Sequence, residues 1–139
     1  MKSETKLAGK DALQASAQTR YAEKEVPGFG RIRMRSISTS AYARIEGMLS
    51  RAAVALSDPN REDGVRMLVD AKIAFIAETL VDENNEKWLN GEESQQLRNL
   101  DSAVFSAIED ACNRHCGIQG IDVEARAKNS SETTGDDSR

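Results

Sequence analysis

Hydrophobic and polar positions change period several times along the chain, and each change predicts an element. Between Lys6 and Arg20, residues Leu7, Ala8, Ala12, Leu13, Ala15 and Ala17 keep a weak helical spacing, which predicts a short helix. From Glu23 the texture becomes KEVPGFGRIRMRSIS. There Pro27-Gly28-Phe29-Gly30 separates two extended runs, and Arg31, Arg33 and Arg35 alternate with Ile32 and Met34. A period of two sends successive side chains to opposite faces of a strand, so a small β-hairpin is expected. Ser38 and Ser40 then offer N-caps to a helix carrying Ala41, Ile45, Met48, Leu49, Ala52 and Leu56 at helical spacing, and Asp58-Pro59-Asn60 stops it. A second amphipathic helix comes next. Its broad apolar stripe is Val65, Leu68, Val69, Ile73, Ile76, Ala77 and Leu80, with Arg66, Asp70, Lys72 and Glu78 on the polar side. These two helices are expected to pack antiparallel.

After Leu80 the segment VDENNEKWLNGEES places Val81 and Trp88-Leu89 on either side of a polar turn, and Asn90 or Gly91 can cap a new helix. A second small hairpin or extended loop is expected there. Leu97, Leu100, Val104, Ile108, Ala111, Cys112 and His115 then recur at steps of three or four. They predict a helix up to Cys116, broken near Asn99–Asp101 where Asp101 can cap afresh, with Gly117 as its stop. The fold class is therefore mainly α: a small helical domain with a short N-terminal hairpin. Residues 1–6 read as a flexible start, 7–121 as a single domain, and 122–139 as a polar, disordered tail ending in KNSSETTGDDSR.

Composition narrows the function classes. The chain has 139 residues, with 19 Lys plus Arg against 23 Asp plus Glu for a net charge of −4. That balance argues against nucleic-acid binding through bulk charge. No apolar run exceeds five residues, so a membrane span or secretory leader is not expected, and the two cysteines do not form a disulfide-scaffold pattern. A cytosolic setting is expected on these grounds.

Three local patterns invite chemistry. Asp82 to Glu93, between two predicted helices, offers oxygens at five of the ligand places of an EF-hand loop. It puts Lys87, however, where that loop needs glycine, so a solvated acidic turn is expected instead of a calcium site. Cys112, His115 and Cys116 at i, i+3 and i+4 bring two thiols and an imidazole close on a helix. Zinc would still need a fourth ligand, and the chain has no other Cys or His. Neither a metal nor a cofactor is expected. The histidine has no orienting carboxylate beside a nucleophile, and Gly28-x-Gly30 lies in a hairpin turn rather than a strand-to-helix phosphate loop, so the chain is not expected to be an enzyme. Arg31, Arg33 and Arg35, reinforced by Arg44 and Arg51, form a basic strip that can pair with acidic residues of a partner. Single-stranded nucleic acid would require more aromatic platforms than Phe29.

The order of these features resembles the tail assembly chaperones of long-tailed bacteriophages. The likeness runs through Asp11-Ala12-Leu13, Glu25-Val26-Pro27-Gly28-Phe29-Gly30 and Arg33-Met34-Arg35-Ser36-Ile37-Ser38. It continues through the acidic turn and aromatic-apolar pair at Asp82 to Leu89, and ends with the helix Leu97 to Gly117 and a polar tail at Lys128-Asn129-Ser130. This covers Leu7 to Ser130. The chain departs from the family pattern at Asn84-Asn85, where glycine is common, and Cys112, His115 and Cys116 gain nothing from the comparison. The resemblance implies a non-enzymatic chaperone in the host cytoplasm that binds the tape measure protein, keeps it soluble and assists tail-tube assembly without entering the virion. With the charge balance and the short apolar runs, no nucleic-acid or membrane partner is expected, and self-association is left open. Phe29, Arg31, Arg33, Arg35 and Trp88 are the candidate partner-binding residues, although both rings could equally plug the core beneath their loops. The alternatives are a small helical adaptor or DNA-packaging accessory, and a metal-dependent regulator using Cys112, His115 and Cys116.

Overall fold

A computed structural model describes residues 7–118, so the expectations for residues 1–6 and for the tail at 122–139 lie outside the described residues. The element order is α1 (Lys10–Ser16), β1 (Tyr21–Val26), β2 (Gly30–Arg35), α2 (Thr39–Ser57), α3 (Gly64–Thr79), β3 (Leu80–Val81), α4 (Glu92–Gln95), a 3-10 turn (Gln96–Asn99) and α5 (Ser102–Cys116). The mainly α class with an N-terminal hairpin is the observed one. The post-Leu80 segment is a closed turn whose first residues add a third strand, in the sheet order β1-β2-β3.

Local chemistry accounts for the element ends. Pro27 and Gly28 occupy the centre of a turn closed by the Phe29 N–H donating to the Val26 carbonyl at 3.0 Å. Gly28 has φ +80°, the value a type II turn demands at its third position. That turn fixes the antiparallel register Glu25↔Arg31, Glu23↔Arg33 and Tyr21↔Arg35. Ser38 caps α2 by accepting from the Ala41 N–H at 3.1 Å, and Asp101 caps α5 by accepting from the Ala103 N–H at 2.9 Å. Gly117 ends α5 in the left-handed conformation.

The helices α2 and α3 form an antiparallel pair. Arg44 near the start of α2 meets Glu78 near the end of α3, while Gly64 at the start of α3 lies against Leu56 at the end of α2. Strand β1 runs antiparallel along α5: the Gly28 turn approaches Val104 at the start of that helix, and Arg20 is clasped by His115 at its end. Ala22, Val26, Ile32, Met34 and Leu80 belong to the sheet's inner face, and they share one apolar core with Ile45, Leu49, Ile73, Ile76, Ile108 and Cys112. Two residues of the stripes expected on α2 and α3 are not inside, and the apolar positions expected on α1 are all exposed. Leu56 and Val65 sit at the linked end of the α2–α3 pair and are exposed, Val65 at 64%.

Candidate protein-docking groove

The pleat that buries Ile32 and Met34 turns Arg31, Arg33 and Arg35 to the opposite face, which also carries Tyr21, Glu23 and Glu25 from β1 and Val81 from β3. An open groove of about 510 Å³ lies at the turn end of this face, lined by Phe29, Arg31, Arg33 and Trp88 together with Glu23, Ile32, Val81, Asp82 and Glu83. Four of the five candidate residues therefore converge. Their two rings are 38% and 39% exposed respectively, so neither is a plug sealed into the core. Leu89, the neighbour of Trp88, takes the buried place.

The fifth candidate, Arg35, lies outside the groove. Its Nε donates to the Glu78 carbonyl oxygen at 2.8 Å, and its terminal nitrogen donates to Glu78 Oε1 at 3.0 Å. Nor is the basic strip as free as its sequence implies. Arg31 and Arg33 both pair with Glu23, at 3.3 and 3.0 Å, and Arg33 also donates to Asn85 Oδ1 at 2.7 Å while its guanidinium stacks 5.1 Å from the Tyr21 ring centre. Glu23 and Glu25 on β1 stand opposite Arg33 and Arg31 on β2, and Glu23 pairs with both arginines, one directly across the ladder and one diagonally.

The second groove wall comes from the turn after β3. Asp82 N–H donates to the Glu86 carbonyl at 2.8 Å, and Asp82 Oδ1 accepts from the Asn84 and Glu86 N–H groups at 2.8 and 3.0 Å. Asn85 adopts φ +65°, which Asn tolerates better than most residues, so it serves here without glycine. The loop's first carboxylate is thus engaged with its own backbone, and Lys87 turns away to Glu78 at 3.0 Å. Val81 bridges to Lys87 and floors the groove between Arg33 and Trp88.

Cys112, His115 and Cys116 do not meet at one centre. Cys112 is enclosed in the core, where burial above all, with the neighbouring Cys116 and Glu109, pushes its thiol far above the usual range. Cys116 lies within 4.0 Å of the Thr79 hydroxyl, and burial raises its thiol too. His115 faces the chain before β1, with Nε2 3.0 Å from the Arg20 carbonyl oxygen. Among the described residues no group of three His, Cys, Asp or Glu side chains is placed to hold a metal, and no helix is long and apolar enough to cross a membrane.

Sequence reasoning misses Glu23, Asn85, Val81 and the role of Glu78. A signal for Glu23 is present: the Pro-Gly turn fixes the hairpin register, and that register sets Glu23 opposite Arg33. Glu78 has no comparable signal, because its partners stand 43, 34 and 9 residues away in sequence. Comparison with known proteins finds no matching family model, curated protein or solved structure.

Proposed function

We propose that the chain is a non-enzymatic assembly chaperone of the phage-tail type, which holds a long, helical, aggregation-prone partner of the tape-measure kind against the outer face of its sheet. The observation that carries this reading is the groove itself: Phe29 and Trp88 offer exposed ring surface beside Arg31 and Arg33. Amphipathic helices bind by laying an apolar ridge into such a trough, and aromatic residues flanked by arginines are the side chains that most often anchor protein interfaces. The resemblance in feature order from Leu7 to Ser130 supplies the identity of the partner, with the tail-tube subunit as a second one and the host cytoplasm as the setting.

Co-expression with the adjacent long helical gene product tests it. The partner should become soluble and co-purify with this chain, and Phe29→Ala and Trp88→Ala should abolish co-purification while moving the thermal midpoint little, because both rings are more than one-third exposed. An insoluble partner that never co-purifies, with both substitutions altering folding stability alone, would remove the proposal.

A further inference from the structure

Past the groove, the same sheet face runs into a cluster of charge. Glu78 Oε1 accepts from Arg35 at 3.0 Å, and Oε2 accepts from Lys87 at 3.0 Å and from Arg44 at 3.4 Å. One carboxylate is thereby shared among three cations drawn from β2, α2 and the loop after β3. Partial burial would push Glu78 up, but Lys87 first, then Arg35 and Arg44, outweigh it and hold the carboxyl below its ordinary value. Glu78 is thus ionised at neutral pH, and the cluster retains two positive charges beyond what it neutralises. Arg44 is the loosest and most open of the three, with its side chain 58% exposed, and its planar fork of five N–H donors suits a second carboxylate.

The charge at the groove is different. Arg31 and Arg33 stand there against Glu23, Asp82 and Glu83, two cations against three carboxylates. The outer face is therefore polarised along its length, slightly negative around the rings and positive at the Glu78 cluster. Lys87 adjoins Trp88 in the chain, and Arg35 lies two strand residues beyond Arg33, about 7 Å. That spacing is between one and two turns of an α-helix, so a helix docked along the face spans from Arg33 to Arg35, the Glu78 partner on β2.

We infer that the partner of this face is a protein helix with an apolar ridge for the Phe29–Trp88 groove and a run of glutamate or aspartate that pairs with Arg44 and Lys87. The inference rests on the docking function proposed above and adds to it the partner's charge and its direction along the sheet. Complementary charge of this kind fixes register and rejects wrong partners more than it adds affinity.

Trp88 is the chain's only tryptophan and lines the groove, so its fluorescence reports on docking directly. Three synthetic amphipathic helices with the same leucine ridge, flanked by glutamate, glutamine or lysine, are titrated into the full chain at low and high salt. The glutamate peptide should shift Trp88 emission and bind about tenfold more tightly than the glutamine peptide at low salt, with the gap narrowing as salt screens the charges. Arg44→Ala should weaken the glutamate peptide severalfold and leave the glutamine peptide unchanged, and Arg44→Lys should restore much of the loss. Equal binding of all three peptides overturns the acidic-partner inference and leaves the groove as a helix site. Binding of none, or a Trp88 change that tracks only self-association or a single-stranded oligonucleotide, overturns the inference and the docking function together. Should Arg44→Ala fail to fold, the three-peptide comparison on the unaltered chain decides alone.

Discussion

Glu78 fastens α3 to β2, α2 and the loop before Trp88, so its protonation is a stability question as well as an electrostatic one. Its carboxyl is held below the ordinary glutamate value of 4.5, and protons therefore favour the unfolded chain. The stabilisation is complete above that ordinary value and is lost as the pH falls through the depressed one. Glu78→Gln keeps the shape but leaves three cations without a counter-charge. It should cost about 1–2 kcal/mol at neutral pH, between the values of exposed and fully buried pairs, and should flatten the acid limb of a urea-denaturation series across this window. An unchanged acid limb would mean that other carboxylates govern it. Little of this is legible in the sequence, where Glu78 reads as one polar position on an amphipathic helix. The same limit applies to Cys112, His115 and Cys116: helical spacing puts them on adjacent turns, but only the packing sends Cys112 into the core and His115 to Arg20. What is legible at single residues is backbone chemistry, as at Ser38, Asp101 and Gly117, because caps and stops depend on neighbours within a few residues.

Elements repeat that division between local and distant causes. The hairpin, both long helices and the fresh start of α5 at Asp101 arise from periodicity and punctuation, and they are found within a few residues of where the pattern puts them. Leu56 and Val65 belong to the predicted core stripes yet are exposed, because a stripe's period says which side of a helix faces inward but not how far along its axis a neighbour extends. Gly64 shows how tightly the linked end is built. A Cβ there would stand 2.8 Å from the Leu56 backbone nitrogen and 2.9 Å from its Cα, distances that require the helices to separate. Gly64→Ala should accordingly destabilise the chain by about 1–3 kcal/mol, the usual cost of overpacking, although alanine is the better helix former. A urea midpoint equal to that of the unaltered chain would show that the α2–α3 link can give way. The third strand is the least legible element: two residues after a helix carry no period, and they become a strand only because β2 offers its unpaired edge.

At the scale of the whole molecule, α5 packs against one face of the sheet and the apolar core lies on that side, while the groove opens on the other. The apolar core joins β1, β2, α2, α3, β3 and α5, whereas α1 contributes no buried residue. Leu7 and Leu13 are 98% and 73% exposed, and a helix of seven residues gains too little from its own hydrogen bonds to order itself strongly in water. Among the described residues, long-range hydrogen bonds of the N-terminal part are made after α1, at Arg20. Its guanidinium donates to the His115 carbonyl at 3.1 Å, its carbonyl oxygen lies 3.0 Å from His115 Nε2, and its N–H donates to the Ser36 hydroxyl at 2.8 Å. A chain that begins at Gln18 keeps these contacts and should melt within about 2 °C of the full chain, since a loss below about 0.5 kcal/mol moves the midpoint of a domain this size by no more than that. A chain that begins at Tyr21 loses all three, leaves β1 without its tie to the end of α5, and should melt several degrees lower. If the two truncations melt together, the Arg20 clasp adds nothing to stability. If the Gln18 chain already melts low, α1 supports the core in a way its exposure does not reveal.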